Sequence, residues 1–351
     1  MPASRNIARP PAKAAAQKLL DWYDVHARQL PWRHPPGAGG HDPYRVWLSE
    51  VMLQQTGVSA VTPRYLRFVE RWPDLAALAA ADEADIMAEW AGLGYYARAR
   101  SLIACAKLLV YQYGGQFPDS EAELRRLPGL GPYSAAAIAA IAFGQQTIPI
   151  DANILRVVAR FFAIMTPLPT AKGEVATAAA DLWPSARAGD FAQALMDLAS
   201  RHCTARAPDC TPCPLHADCA AARQGLAGTL PRRLARPQRP TRHGIAHWVV
   251  RDGAVALITR PAKGLLGGMR GMPGPAWRAV TAPPAPPPQS LGRVRHIFTH
   301  FALLLDVVAA DESALPAGDA PIIWWPLDQI DAAGLPTLYA RAATLARAAQ
   351  D

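Results

Sequence analysis

Four of the five cysteines lie within seventeen positions of one another and could together hold a metal centre. Six, two and five residues separate consecutive members of this set, and four thiolates in one loop can ligate a cubane iron–sulfur cluster. A structural zinc site is the alternative, although zinc ribbons usually carry two paired Cys-x-x-Cys knuckles and this chain has one. Such crowding is also more typical of metal ligation in a reducing compartment than of a secreted disulfide framework. The expected ligands are Cys203, Cys210, Cys213 and Cys219, whereas Cys105, in a helical stretch, is expected to be a small buried side chain.

A glycine-containing segment between two helical stretches, Leu127–Tyr133, could bind a phosphate group. Gly129 and Gly131 allow a tight hairpin that leaves backbone N–H groups exposed at the start of the following helix. Such groups hold phosphates without reading the base sequence. The apolar run Ala135–Phe143 can anchor the hairpin in a helical bundle. An ordinary turn between two helices is the alternative interpretation.

The overall composition favours a folded protein with a polyanionic partner. The 351 residues are enough for about two domains, and 51% of them are hydrophobic. Lys and Arg outnumber Asp and Glu by 36 to 28, a net charge of +8, and a basic protein gains free energy by releasing the counterions condensed on nucleic acid. The longest apolar stretch, 135–143, is far shorter than the ~20 residues that cross a bilayer, and no signal-peptide core follows Met1. We therefore expect an intracellular protein with no membrane partner.

The spacing of hydrophobic residues divides the chain into a helical part and a mixed part. Apolar residues at intervals of three and four, with Pro and Gly punctuation, predict roughly ten short helices between about Ala14 and Ala222. An arginine- and proline-rich segment without acidic residues predicts a stiff basic linker after them. The expected divisions are a flexible N-terminus at 1–13, an all-α domain at 14–223 with the cysteine loop at 203–219, the linker at 224–243, and a smaller α+β domain at 244–351.

The second domain shows the alternation of β-strands. Ile245–Val250 and Ala254–Arg260 alternate in polarity and are joined through Asp252-Gly253, which predicts a β-hairpin. A further strand is expected at Ile297–Val308 and a helix at Leu335–Ala349. Together these elements predict a small α+β domain.

Five motifs, in this order, resemble those of the MutY family of adenine DNA glycosylases. They are Asp42–Thr56 (DPYRVWLSEVMLQQT), Gly92–Arg98 (GLGYYAR), the glycine hairpin, Ile150–Asn153 (IDAN) and the cysteine loop. The match runs from about Leu30 to Cys219, and the second domain resembles the family's Nudix-like C-terminal module. Membership implies a helix-hairpin-helix fold, a 4Fe-4S cluster, and removal of adenine from double-stranded DNA that contains A:8-oxoG or A:G mispairs.

The resemblance assigns catalytic roles to two carboxylic acids. Glu50 matches the family's general acid, because adenine leaves poorly as an anion and a proton must reach the purine ring as the glycosidic bond breaks. Burial beside apolar neighbours would raise the pKa of Glu50 and keep it protonated. Asp151 matches the carboxylate that stabilises positive charge on the deoxyribose, and Tyr133 and Asn153 match residues that orient this carboxylate and the proton network. The alternatives are a surface position for Glu50 and a helix N-cap for Asp151.

The resemblance also assigns contacts with DNA. A base inside the duplex must be extruded before it can reach a catalytic pocket. Gln55, Leu93 and Tyr95 match the residues that fill the resulting gap, and Gly129 and Gly131 match the phosphate-binding hairpin. We therefore expect these five residues at the DNA surface; the alternative is that Leu93 and Tyr95 are buried core side chains.

A loop in the second domain resembles the part of the family that reads the lesion. The family usually has Ser where this chain has Thr299, so the hydroxyl remains and a methyl group is added. No Glu-rich helix follows Gly267–Gly274, which argues against a pyrophosphatase metal site. The residues expected to recognise the lesion are His296, Phe298, Thr299 and His300.

Two other functions fit part of the sequence. A bifunctional glycosylase/lyase resembling endonuclease III would share the hairpin and the cluster, but it needs a Lys to form a Schiff base at the position occupied here by Tyr133. A non-catalytic DNA-binding scaffold would account for the charge, the hairpin and the cysteines, but not for Glu50 and Asp151. We therefore expect a monofunctional DNA glycosylase of base excision repair, a monomer that acts on the nucleoid in a bacterial cytoplasm.

Overall fold

The first of two compact units ends at Leu234 and consists of helices. The computed structural model describes residues 10–234, 239–261, 265–298, 300–316 and 321–349. Twelve α-helices lie within the part of the first unit that it describes. They are α1 (Ala12–His26), α2 (Pro43–Leu53), α3 (Val58–Arg71), α4 (Leu75–Ala80), α5 (Glu83–Glu89), α6 (Ala97–Gln112), α7 (Glu121–Leu124), α8 (Pro132–Phe143), α9 (Ala152–Phe161), α10 (Lys172–Leu182), α11 (Ala188–Arg201) and α12 (Ala220–Arg223).

Local sequence signals begin and end the helices that carry Glu50 and Tyr133. At the start of α2 the Asp42 carboxylate accepts a hydrogen bond from the Tyr44 N–H at 2.9 Å, and Pro43 occupies the first helical position. Gly144 ends α8 in the left-handed conformation, with φ of 66°. These boundaries fix where α2 and α8 enter and leave the bundle.

Helix α8 lies at the centre of the unit because it is apolar on nearly every side. Its residues Ser134–Ile141 are buried, and it packs against α2, α7 and α11. Residues of α8 belong both to the core around α2 and α6 and to the core around α1, α9 and α11. Gly189 of α11 permits this contact, since a Cβ there would lie 2.6 Å from the Ala140 carbonyl oxygen. Because α9 also packs on α11, α8 and α11 together fix α2 relative to α9.

The second unit is built on a mixed β-sheet. In its described residues the strands are β1 (Thr241–Arg251), β2 (Ala254–Thr259), β3 (Arg270–Gly271), β4 (Arg278–Val280), β5 (Ser290–Ile297), β6 (Ala302–Ala310) and β7 (Ile322–Pro326). The strand order is β3-β2-β1-β6-β5, with β4 added to β1 and β7 added to β2. Strands β1 and β6 are parallel, and the other pairs are antiparallel. Helix α13 (Thr337–Ala348) packs on β5 and β6.

The predicted fold class, a helical domain followed by a smaller α+β domain, is confirmed. The expected hairpin is formed by β1 and β2, and both Asp252 and Gly253 have a positive φ, 48° and 73°. The strand predicted at 297–308 is present as β6, but it begins at Ala302 rather than at Ile297, because the chain turns at 298–301. The Phe298 N–H donates to the Phe301 carbonyl at 2.9 Å, between β5 and β6. The sequence HIFTHFAL contains no Gly, Pro, Asn or Asp, so it gave no turn signal.

The expected linker at 224–243 is shorter than predicted. Leu230 is buried in the first unit, and the Leu168 N–H donates to the Arg232 carbonyl at 2.8 Å. At the other end, 241–243 begins β1. The buried Leu230 accounts for part of the difference, because it packs in the first unit, whereas Leu234, which lies among the arginines and prolines, is 53% exposed. Among the described helices, none has the length and apolar character needed to span a membrane.

Candidate active site

Glu50 lies in α2 with its side chain buried, so the alternative of a surface position is wrong. Only 7% of the residue is exposed. Burial raises the pKa of Glu50 to about 7, a hydrogen bond from Tyr133 lowers it, a negative charge on Asp151 raises it, and the Arg33 charge lowers it. A carboxyl group with this pKa keeps its proton in a large fraction of molecules near neutral pH. This is the property that a general acid requires.

Asp151 is the N-cap of α9, as the structural alternative predicted. Its Oδ1 accepts hydrogen bonds from the backbone N–H groups of Asn153 and Ile154, at 2.8 and 2.7 Å. Its Oδ2 accepts a bond from the Asn153 side-chain amide at 2.7 Å. Three donors and the positive end of the helix stabilise negative charge on this carboxylate. The capping role does not remove Asp151 from the pocket, because the residue also lines the cavity that contains Glu50.

Tyr133 connects the glycine hairpin to the two acids. It lies in the first turn of α8, directly after the hairpin, and its hydroxyl donates a hydrogen bond to Glu50. Burial and the charges of Glu50 and Asp151 raise the pKa of Tyr133 well above its usual value, so the hydroxyl keeps its proton. The structure thus places a permanent donor against the candidate acid.

The hairpin has the backbone geometry that its glycines predicted. Gly129 has φ of 79°, and a Cβ there would lie 2.7 Å from the Cβ of Ser101. Gly131 is the N-cap of α8, and both glycines are exposed. The Gln54 side chain ties the hairpin to the end of α2, since its Nε2 donates to the Gly129 carbonyl at 3.3 Å and to the Ser134 hydroxyl at 3.2 Å.

One cavity of about 790 Å³ brings these groups together. Its volume lies in the range of small-molecule pockets, roughly 300 to 1,000 Å³, and is ample for a nucleobase. Gln193, buried in α11, lies on its wall although the sequence analysis did not single it out. The predicted site residues that line the cavity are Glu50, Gln55, Gly129, Gly131, Tyr133, Asp151 and Asn153.

Arg33 is a charged residue of the cavity wall that the sequence analysis missed. Its guanidinium donates to Asp197 at 2.8 Å, and Arg28 donates to the same carboxylate from its backbone at 2.9 Å and from Nε at 2.6 Å. Asp197 is 1% exposed, so this ion pair holds the segment before α2 against α11. Arg33 and Asp197 are 164 positions apart, and a pair so distant leaves no local sequence pattern.

The residues expected to fill the gap in the duplex lie in different environments. Tyr95 is 61% exposed and has φ of 48°, and Gln55 is exposed with φ of 56°. Both can reach a bound molecule. Leu93 is 4% exposed and packs in the core around α2 and α6. The prediction that Leu93 contacts DNA is therefore not supported in this conformation, since its apolar side chain is used for packing.

Arg98 joins the loop that carries Tyr95 to the end of α2. Its Nη1 donates to the carbonyls of Val51 and Met52, at 3.2 and 2.8 Å. Its Nη2 donates to Thr56 Oγ1 at 2.9 Å and to the carbonyls of Leu93 and Gly94 at 2.9 and 3.2 Å. The guanidinium also lies 5.5 Å from the Tyr95 ring centroid. The planar guanidinium has several N–H donors and can bind both segments at once, whereas the single ammonium group of a lysine cannot.

The cysteine loop packs beside α9. Arg156 donates to the Cys203 carbonyl at 2.7 Å and to the Asn153 side-chain oxygen at 3.2 Å. Arg160, buried in the same helix, donates to the Cys203 sulfur at 3.2 Å and to the Thr204 carbonyl at 2.7 Å. The loop is therefore attached to the same helix whose first turn holds Asp151.

The environment of the four cysteines fits a cationic cluster. Burial raises the pKa of Cys213 to about 12 despite a hydrogen bond from the Leu215 backbone, and negative charge on the other three thiols raises it further. Thiolates in this position therefore need nearby positive charge, which iron supplies. Across the described residues, no three His, Cys, Asp or Glu side chains converge closely enough for a single metal ion. Cys105 is fully buried in the apolar core, as expected.

Three of the four residues expected to read the lesion lie around the turn between β5 and β6. His296 is partly buried with its ring 4.6 Å from the Phe298 ring, and burial followed by the charge of Arg341 lowers its pKa. His300 is exposed. Thr299 lies outside the described residues.

Comparisons with known proteins agree with this geometry. The model of the HhH-GPD superfamily of base excision DNA repair proteins matches residues 48–185, and that of the NUDIX domain matches 245–345. A thermostable thymine-DNA glycosylase has a similar structure, with a TM-score of 0.54 and 26% identity over 61% of this chain and 97% of that one. An endonuclease III–DNA covalent intermediate agrees in fold, with a TM-score of 0.51 and 20% identity over 61% of this chain and 96% of the other. The fold and the site therefore define a DNA glycosylase of the helix-hairpin-helix class.

The chain belongs to the adenine DNA glycosylase family. It is 34% identical over 378 residues to the adenine DNA glycosylase of Mus musculus, which covers 88% of this chain and 72% of the relative. It is 33% identical over 372 residues to the Homo sapiens enzyme, covering 86% and 68%. It is 40% identical over 220 residues to that of Mycolicibacterium smegmatis, covering 62% and 73%.

Proposed function

We propose that this chain, as a monomer, hydrolyses the N-glycosidic bond of adenine paired with 8-oxoguanine or guanine in duplex DNA. The observation that supports this most directly is the convergence of Glu50, Tyr133 and Asp151 on one cavity, with the pKa of Glu50 raised to about 7 chiefly by burial. A buried, protonated acid facing a stabilised carboxylate suits a leaving group that must be protonated and a sugar that becomes positive.

The proposed reaction uses Glu50 as a proton donor and Asp151 as a carboxylate. Glu50 donates its proton to a ring nitrogen of adenine while the bond to the deoxyribose breaks, and the bonding electrons leave with the base. The sugar then carries oxocarbenium character, which the Asp151 carboxylate stabilises. Water adds to this carbon and gives up a proton to a carboxylate of the site. General acid catalysis contributes about 10²- to 10⁴-fold, so charge stabilisation by Asp151 must supply much of the remainder.

The base reaches the cavity by extrusion from the duplex, which costs a few kcal/mol of stacking and pairing. Tyr95 and Gln55 are exposed and are proposed to fill the space that the base leaves. The start of α8, with Gly129 and Gly131, is proposed to hold a backbone phosphate. These contacts are independent of base sequence, so selectivity for adenine is assigned to the cavity.

Cys203, Cys210, Cys213 and Cys219 are proposed to hold a 4Fe-4S cluster. When bound, the cluster supplies positive iron that neutralises the four thiolates and fixes the loop. Arg156 and Arg160 hold this loop on α9, so its order is coupled to the helix capped by Asp151.

Recognition of the lesion is proposed for the turn between β5 and β6. The side chains assigned to it are His296, Phe298, Thr299 and His300, of which His296 and Phe298 lie in ring contact. The low pKa of His296, which burial and Arg341 produce, leaves its ring neutral at pH 7 and able both to donate and to accept a hydrogen bond.

The rival lyase reaction lacks its nucleophile. A lysine would have to stand where this chain has Tyr133, and a phenol cannot form a Schiff base. We expect borohydride to trap little covalent adduct with abasic DNA, measured by denaturing gel electrophoresis. Efficient trapping would overturn the monofunctional assignment.

The proposed function is tested by adenine release from duplexes that carry adenine opposite 8-oxoguanine, guanine or thymine. The Glu50→Gln and Asp151→Asn variants should lose at least about 10²-fold in single-turnover rate while binding duplex as the wild type does. Glu70→Gln is the control for an exposed Glu, and Asp74→Asn is the control for an N-cap Asp outside the cavity. Equal release opposite thymine and 8-oxoguanine would reject the lesion specificity, and full activity of both acid variants would reject the mechanism.

A further inference from the structure

Trp277 lies against the turn that carries Phe298. The Phe298 and Phe301 rings at the two ends of this turn are 4.9 Å apart. The Trp277 ring is 5.7 Å from Phe298, stacked at 29°, and 6.3 Å from Phe301, tilted at 60°. Trp277, Phe298 and Phe301 therefore form a three-ring platform, and a single side chain from outside the turn contacts both of its ends.

The backbone on both sides of Trp277 is fixed to the sheet. On one side the His247 N–H of β1 donates to the Pro273 carbonyl at 2.8 Å. On the other side β4 begins at the next residue and pairs with 241–243 of β1. Gly244 leaves the space that the indole needs, because a Cβ there would lie 2.4 Å from Trp277 Cδ1. Trp277 therefore connects the rings of the turn to the backbone of β1.

Two arginines cover the platform. The Arg260 guanidinium lies 5.1 Å from the Trp277 ring centroid and is held by a hydrogen bond to the Tyr339 hydroxyl at 2.9 Å. The Arg242 guanidinium lies 4.4 Å from the Phe301 ring. Such contacts favour one orientation of each ring. Trp277 and Phe301 are thus each held by an arginine as well as by ring contacts within the platform.

We propose that Trp277 is a positioning residue that determines selectivity for 8-oxoguanine over guanine opposite the adenine. This inference rests on the proposed function, in which the Phe298 turn contacts the lesion. The two bases differ by an oxygen and the position of one hydrogen, so discrimination depends on donors and acceptors held at fixed positions. Without Trp277 the turn would still contact the DNA. Its donors and acceptors would no longer be held at the positions that distinguish 8-oxoguanine from guanine.

The test compares the second-order rate of adenine release, the single-turnover rate divided by the half-saturating enzyme concentration, for A:8-oxoG and A:G duplexes. Trp277→Leu should lower the ratio of the two rates about tenfold, the size expected from losing two aromatic pairs. Gly244→Ala should lower the ratio in the same direction by displacing the indole, and Trp277→Phe should restore part of it. Trp324→Leu is the control, because this tryptophan lies under Arg251 in β7 and outside the platform.

The outcomes separate the inference from the function on which it rests. A wild-type protein that releases adenine from neither duplex contradicts the proposed function, whereas one that releases it equally from both contradicts only the inference. A wild-type preference that Trp277→Leu retains contradicts the role of Trp277. Equal losses on both duplexes in Trp277→Leu also contradict it, because a variant that is merely less stable loses activity on both. A reduced ratio with unchanged A:G activity supports it.

Discussion

The Tyr133 hydroxyl donates a hydrogen bond to the Glu50 carboxyl group, and this bond opposes the effect of burial on the acid. Burial raises the pKa of Glu50 to about 7, and the hydrogen bond from Tyr133 is the largest contribution in the opposite direction. A hydrogen bond to the charged form of an acid favours that form. Tyr133 therefore sets how far up the pH scale Glu50 remains a proton donor.

Replacing Tyr133 with Phe should move the alkaline limb of the pH–rate profile to higher pH. In the wild type the acid is active when protonated, so the rate should fall as the pH rises through about 7. Without this hydrogen bond the pKa of Glu50 rises further, so the rate begins to fall at a higher pH. The maximal rate should decrease about tenfold, because an oriented contact is lost. Single-turnover profiles from pH 5.5 to 9 measure both effects, with Tyr111→Phe on the exposed face of α6 as control. A limb that stays in place or moves to lower pH contradicts this role.

The Glu50→Gln variant should be more stable than the wild type at alkaline pH. The pKa of Glu50 is raised in the folded state, so stability from this group is present below its unfolded value of 4.5 and is lost as the pH rises to about 7. The amide of the variant carries no charge, so its contribution to the free energy of unfolding does not change over this pH range. The difference in the free energy of unfolding should grow from pH 4.5 to 7, reach up to about 3 kcal/mol, and then stay constant. Denaturant unfolding of both proteins across this range measures it, and a difference independent of pH would show that Glu50 titrates normally.

Arg98→Lys should impair catalysis without changing its pH dependence. The lysine keeps the positive charge but cannot donate to both the end of α2 and the Tyr95 loop as the guanidinium does. Hydrogen bonds to charged groups are worth about 1.5 to 3 kcal/mol, so the rate of adenine release should fall at least about tenfold. Glu50 itself is untouched, and the alkaline limb should stay at the same pH. An exposed arginine of the same helix, Arg100→Lys, is the control.

Cysteine variants should distinguish a cluster ligand from a core cysteine. Purified anaerobically, the wild type should contain iron and inorganic sulfide and little zinc. Cys213→Ala should lose both iron and sulfide, whereas Cys105→Ala should retain them, because Cys105 is fully buried in the apolar core away from the loop. Elemental analysis for iron and zinc, with an assay for inorganic sulfide, measures these contents in each protein. Stoichiometric zinc in the wild type would contradict the cluster.

Features written in short stretches of sequence were predictable. The glycine hairpin and the cap at Asp151 each depend on residues a few positions apart, and their local chemistry is sufficient to recognise them. The β1–β2 turn was predictable for the same reason. The cluster inferred from the cysteine spacing stays a prediction.

Features that depend on packing between distant segments were not predictable. Arg33 forms an ion pair with Asp197, Arg98 donates hydrogen bonds to the end of α2 and to the Tyr95 loop, and Trp277 stacks on Phe298. None of these contacts produces a periodic pattern in the sequence. Leu93 shows the same difficulty in reverse. An apolar side chain in a DNA-binding motif can equally belong to the core, and only the tertiary structure shows which.

The N-cap geometry of Asp151 has a consequence for cells that carry altered copies of this chain. Asparagine caps helices about as well as aspartate, so a single exchange at this position can abolish the negative charge while α9 still starts in the same place. The altered protein would keep its fold but would lack the carboxylate that is proposed to stabilise the sugar. Such a variant would therefore fail through its chemistry rather than through loss of structure.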